Sequence, residues 1–187
     1  MKQIHRDLYV ATAAPRLIDV PDLPCLMLDG SGAPSGEPYL DAVAALYGVA
    51  YAVRAELKPV MTYSVAPLEG LWDGDPDDLS SMRWTALIPQ PARVDAELVE
   101  RAVETVRRKR PETRLDGLRL GTMSEGRSAQ ILHKGPFAEE PATVKTLMEF
   151  ITGQGLSLAG RHHEIYLSDF RRAAPEKLRT IIRYPVR

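Results

Sequence analysis

The apolar positions of this chain fall into two passages that echo each other. In the first, the run Leu23 to Leu28 reaches Asp29 and Gly30, turns, and resumes after Glu37 and Pro38 with Leu40, Val43, Ala44, Leu46 and Tyr47 at helical spacing. In the second, Ile131 to Gly135 leads to Glu140 and Pro141, then to a stripe of Val144, Leu147, Met148 and Ile151 closed by Gly153 and Gly155. Proline suits the first helical position and glycine the last, so helices are predicted to start near Pro38 and near Pro141. Beyond each helix come two strand-like segments, Val60 to Val65 and Trp84 to Ile88 in the first half, Glu164 to Leu167 and Thr180 to Tyr184 in the second. Both last strands stop at proline, Pro89 and Pro185. Each half therefore reads β-α-β-β, and a unit this small cannot cover its own sheet, so the halves are expected to pair about a pseudo-twofold.

Between the halves, Val94 to Val99 opens a further helix, with Asp95 as N-cap and Val94 stapled against Val99, ending before Pro111. No Gly/Ser linker or low-complexity tract interrupts the chain. The expected organisation is one domain over residues 1–187: repeat one at about 20–90, the inserted helix at about 95–110 and repeat two at about 118–186.

Composition narrows the partners. The 187 residues are 44% hydrophobic and 26% charged, and 24 Lys and Arg against 25 Asp and Glu leave a formal net charge of −1. Without a basic excess, a nucleic-acid partner is not expected. The run Arg107 to Arg110 is balanced by Glu97 and Glu104 and reads as a solvated helix end. No 18-residue apolar run and no signal core are found, so a cytoplasmic protein without membrane contact is expected. Cys25 is the single cysteine and reads as a buried, inert thiol.

Several motifs dissolve on inspection. Gly30 to Gly36 has the wrong spacing for a dinucleotide fingerprint and is interrupted by Pro34. Asp73 to Asp78 carries Asp78 where a calcium loop needs glycine, and Trp84 where it needs a bidentate glutamate. Ser124 does not sit in a nucleophile elbow. His162, His163 and Glu164, with His133 as a third donor, invite a metal, but no second carboxylate stands at ligand spacing, and neither metal nor cofactor is expected.

The strand at Glu164 carries more. Alternation sends Ile165 and Leu167 toward the helices and Glu164 with Tyr166 to the other face. Tyr63, Trp72, Trp84 and Tyr166 are then expected to wall a cleft with Glu164 at its floor, a site for planar or cationic organic molecules.

The stretches Pro15 to Pro21, Leu68 to Trp72, Ser124 to Gly126, Gln130 to Pro136, His162 to Asp169 and Pro175 to Arg183 together resemble the GyrI-like small-molecule-binding family, over nearly the whole chain. The block from His162 to Asp169 is the most specific of them. Pattern and resemblance together give an α+β fold of two pseudo-twofold-related β-α-β-β repeats. They form a curved, mainly antiparallel sheet with two long helices on one face and an extra inserted helix. The resemblance implies a groove for drug-like, often cationic ligands with Glu164 as the anionic anchor. Trp72, Trp84, Tyr63, Tyr166 and His133 are the expected ligand contacts.

Members of that family act as effector domains of multidrug-responsive regulators, as toxin modulators that dock a protein, or as cyclopropanoid cyclopropyl hydrolases that detoxify DNA-alkylating antibiotics. The first expectation here is stand-alone binding of a small molecule. The alternative is hydrolysis, with Glu164 as general base and Tyr166 or Tyr63 assisting, and a further alternative is a groove that docks a protein, as in a toxin modulator. Where stand-alone members often carry a second tryptophan after Trp72, this chain has Asp73. The sequence leaves oligomeric state open.

Overall fold

The computed structural model describes residues 6–75 and 78–187. Along them run β1 (Arg16–Val20), β2 (Leu23–Ser31), α1 (Glu37–Leu57), β3 (Glu69–Asp73), β4 (Arg83–Pro89), α2 (Ala96–Lys109), β5 (Arg119–Met123), β6 (Gly126–Lys134), α3 (Glu140–Gly153), β7 (His162–Tyr166) and β8 (Arg179–Pro185). Short 3₁₀ turns lie at Arg6–Tyr9, Phe137–Glu139 and Pro175–Lys177. The fold is α+β with antiparallel pairing, in two compact units: residues 23–123, and residues 6–22 together with 124–187.

In the first unit the strands lie in the order β3-β4-β2-β5. Helix α1, opened by Pro38, buries Val43, Leu46, Val49, Ala50 and Val53. Where it begins, Tyr39 meets Trp72 and Trp84, a cross-strand pair of β3 and β4, at ring-centroid distances of 5.0 and 5.1 Å. These three rings are at most 3% exposed. Trp84 lies flat over Gly30, where an added Cβ would stand 2.2 Å from Cη2, so β2 admits no side chain there. Asp95 caps α2 as expected, its carboxylate accepting from the Leu98 N–H at 2.8 Å.

The expected strand at Val60 to Val65 does not form. Residues 61–68 run in an irregular path, and side chains of α1 answer their backbone instead. Arg54 Nε donates to the Tyr63 carbonyl at 2.7 Å, and the Leu68 N–H donates to the Tyr47 hydroxyl at 3.3 Å. The strand is Glu69–Asp73, just beyond Pro67.

The second unit has the order β1-β6-β8-β7. Its β6-α3-β7-β8 repeat reproduces the strand order of β2-α1-β3-β4, and each repeat gains one further strand beside its first: β5 in one unit, β1 in the other. Helix α3 packs Leu147 and Ile151 onto Ala129, Ile131 and Ile182, with Leu17, Val144, Met148 and Tyr184 around them.

That packing corrects the expected direction of β7. Glu164 stands opposite Ile182, and residues directly opposite share a face, so Glu164 and Tyr166 point to the α3 side. Ile165 pairs with Ile181 on the other face, and both are fully buried. Both faces of this sheet are occupied, so an apolar residue does not by itself mark the helix side.

Candidate functional site

A group of polar side chains gathers in the second unit where α3 begins. Glu140 is the first residue of α3, and it is 7% exposed. Its carboxyl group is hydrogen-bonded to Glu164 on β7 and to Thr180 on β8. His162 lies two residues before Glu164, on the same face of the strand. Its Nε2 is 3.0 Å from Glu164 Oε1, and its Nδ1 is 2.7 Å from the Tyr184 hydroxyl. A carboxylate oxygen only accepts, so His162 Nε2 donates to Glu164, while Nδ1 pairs with the Tyr184 hydroxyl.

Charge follows from this crowding. Burial pushes the Glu140 carboxyl up to about 9, and the Glu164 charge and hydrogen bond add to it, while Thr180 works weakly the other way. The Glu140–Glu164 carboxyl pair therefore shares a proton. One Glu140 oxygen, Oε1, is buried with no hydrogen-bond partner among the described residues. Burial also raises Tyr184 to about 12, aided by the Glu164 and Glu140 charges.

Glu140, His162 and Glu164 offer ligand atoms within 4.8 Å of one another, a set of the type that holds a divalent cation. Glu140 is the second carboxylate that spacing along the sequence did not reveal. The fold brings it in from 24 residues away in the chain, and the only local hint was Glu140 before Pro141 at a helix start.

Tyr166, next along the same face, meets Phe170 at 5.6 Å and Phe137 at 6.0 Å between ring centroids, edge to face. Phe137 is 38% exposed and Phe170 half-buried, so this trio offers flat apolar surface that solvent reaches.

The remaining expected contacts are placed differently. His133 is on the α3 side of β6, 3% exposed, and both ring nitrogens are engaged: Nε2 donates to the Pro136 carbonyl at 3.1 Å and Nδ1 pairs with the Thr143 hydroxyl at 2.8 Å. It clamps the turn through Gly135 (φ 126°) that delivers Glu140. Trp72 and Trp84 belong to the first unit's core with Tyr39. Tyr63 is in that unit too, its hydroxyl buried without a hydrogen-bond partner among the described residues and raised to about 12 by burial, which the nearby Arg54 charge partly opposes.

His163 faces the other way and serves a buried ion network. Its Nδ1 is 2.9 Å from Glu125, and Arg183, 1% exposed, reaches Glu125, Gln130 and the Leu8 carbonyl at 3.3, 3.0 and 2.7 Å. Burial alone would raise Glu125, but the charges and hydrogen bonds of His163 and Arg183 outweigh it and hold the carboxyl at about 2. This network ties residues 7–10 to the sheet and explains the stretch Ser124 to Gly126 as structural.

The carboxyl pair and the aromatic rings thus lie on one face of a repeated β-α-β-β frame. Residues 13–187 match the model of the GyrI-like small molecule binding domain, and the chain belongs to that family. Two similar solved structures come from Listeria innocua. One, of an uncharacterized conserved protein, is 38% identical with a TM-score of 0.93; the other, of a protein called a hydrolase, is 38% identical with a TM-score of 0.89. In both, the alignment covers 100% of this chain and 98% of the other. The EcmrR C-terminal domain, at 13% identity over 92% of this chain and 96% of its own, has a TM-score of 0.60 and is alike in fold alone. No match was found among functionally curated proteins.

Proposed function

We propose that this protein is a hydrolase that adds water to a flat organic molecule held against Glu164, with the strained cyclopropane of DNA-alkylating antibiotics as the substrate class. The observation that carries the reading is the Glu140–Glu164 carboxyl pair, set on the strand face that Tyr166 shares, beside the rings of Phe137 and Phe170. The full-length likeness to a Listeria protein called a hydrolase supports it.

In the proposed step, Glu164 removes a proton from water as the water oxygen bonds to the cyclopropane methylene. The bond from the methylene to the ring breaks, and its electron pair passes through the dienone to oxygen. That oxygen takes a proton from the Tyr166 hydroxyl, on the same strand face as Glu164, and the proton left on Glu164 passes through solvent to restore Tyr166. The sum is the addition of one water. His162, oriented by Tyr184, holds the Glu164 carboxylate in place. The rings of Phe137, Tyr166 and Phe170 stack or edge against the planar substrate and fix its distance from the carboxylate.

The test is turnover of a cyclopropyl-containing alkylating antibiotic, followed as the hydrated, ring-opened product. Glu164→Gln should lower kcat about 10²- to 10⁴-fold, the usual range for a general base, while Phe137→Ala should raise KM first. A Glu164→Gln protein that binds poorly but keeps its maximal turnover would return Glu164 to an anchor. No turnover by the unmodified protein would leave the second reading, stand-alone binding. That reading draws on the same anion, which attracts any cationic or proton-donating ligand.

A further inference from the structure

We infer that Glu140, His162 and Glu164 form a binding site for a divalent transition-metal cation, with zinc the ion that this donor set suits. Binding of the ion is independent of the hydrolytic reading.

Two elements bring the donors together: Glu140 opens α3, while His162 and Glu164 stand two residues apart on one face of β7. One ligand atom from each lies within 4.8 Å of the other two. Around a tetrahedral zinc, with bonds of about 2.0 to 2.2 Å, donors stand roughly 3.4 Å apart, so small side-chain rotations close the set. An imidazole beside two carboxylates suits zinc better than magnesium or calcium, which take oxygen donors and more of them. Three protein donors leave a fourth position for water, and the side chains of His162 and Glu164, 20% and 14% exposed, leave the ion a way in.

Two observations besides the clustering itself point to an ion. Glu140 is 7% exposed, yet its Oε1 has no hydrogen-bond partner among the described residues, a buried acceptor that a cation satisfies. His162 is held from behind, its Nδ1 2.7 Å from the Tyr184 hydroxyl on β8. With Nε2 on the ion, Nδ1 carries the ring hydrogen and donates it to that hydroxyl, the kind of outer partner that fixes a metal-binding histidine. The balance of charge agrees. The side chains acting on the Glu140 carboxyl are Glu164 and Thr180, neither of them a cation, whereas Glu125, another buried carboxyl of this unit, is matched by Arg183. Two carboxyl groups in contact without a positive neighbour leave that charge to be supplied.

A bound zinc also engages the Glu164 carboxylate that the proposed hydrolytic step uses as base, so the loaded protein should lose turnover. This arm alone rests on that reading: zinc bound at these residues with turnover intact would overturn Glu164 as base and leave the metal site standing. The site itself is tested without substrate. The full chain is stripped with EDTA, exchanged into buffer and titrated near neutral pH with zinc, in competition with a chromophoric chelator. One zinc per chain is expected, and cobalt in its place should show the visible absorption of a four-coordinate site. Glu140→Gln and His162→Gln should each weaken zinc at least about tenfold, while Glu149→Gln, which alters an exposed carboxyl on the same helix, should bind it as the unmodified chain does. No zinc bound by the unmodified chain overturns the site, and that result needs no variant. Unchanged binding after both Glu140→Gln and His162→Gln also overturns it, since the ion would then sit elsewhere. Magnesium that displaces zinc at equal concentration overturns the choice of a transition metal.

Discussion

Glu140 and Glu125 are buried carboxyls of one unit that burial affects alike and neighbours affect oppositely. Glu140 lies beside a carboxylate and is held protonated up to about 9. In the unfolded chain the same group ionises near its ordinary value of 4.5. Between those two values the folded protein holds the extra proton, so this group makes stability fall as pH rises, and the effect levels off above about 9. Glu125, held at about 2 by His163 and Arg183, does the reverse. Its contribution is present above the ordinary carboxyl range and is lost as pH falls from there toward 2. Glu140→Gln should therefore flatten the decline of Tm between pH 6 and 9 and leave the acid limb unchanged. Parallel Tm-against-pH curves for the two proteins would mean that Glu140 is not the group titrating.

At the scale of elements, the two repeats use one location in two ways. Where α1 begins, Tyr39 fills the space over β3 and β4 with Trp72 and Trp84. Where α3 begins, Glu140 meets Glu164, His162, Thr180 and Tyr184 over β7 and β8. The first is a sealed aromatic core and the second a polar site. Gly30→Ala tests the seal. The Cβ would press on Trp84, overpacking that should cost about 1 to 3 kcal/mol in urea unfolding. Most of that cost should vanish when the change is made in a Trp84→Leu background. An unchanged cost there would place the strain elsewhere.

The helices and the strands at Trp84, Glu164 and Thr180 were legible because periodicity, proline and glycine mark them directly. The strand at Val60 to Val65 was misread because a segment laid against a helix buries residues at similar intervals to a strand. β1 and β5 escaped because each is a short, half-exposed edge. Glu164 was legible as a committed carboxylate, but its partner was not. A contact between the first turn of a helix and a strand 24 residues later leaves no local spacing to read. The face of Glu164 was reversed for a related reason: both sides of that strand carry buried groups.

Over the whole molecule, the chain crosses from the second unit to the first immediately after β1. β1 precedes β2 by only Pro21 and Asp22, yet it pairs with β6, Arg16 opposite Gln130 and Val20 opposite Gly126. The 3₁₀ turn at Arg6–Tyr9 goes with it, its Leu8 carbonyl accepting from Arg183. Deleting residues 1–22 should strip β6 of its outer partner and Arg183 of one acceptor. Hydrogen exchange should then quicken along β6 and β8 while β2 and β4 keep their protection. Equal loss in all four strands would mean that the first unit also depends on this segment.

The same crossing sets an order of events during synthesis. Ile18 leaves the ribosome 110 residues before Ser128, the residue it faces across the ladder. At roughly 5 to 20 residues per second, it waits on the order of 5 to 20 s for its partner, while every strand of the first unit is made before β6 begins. The nascent β1 is thus an unclaimed strand beside a fold being completed, and Arg16 and Asp19 within it are the charges that discourage it from pairing with a neighbouring chain meanwhile.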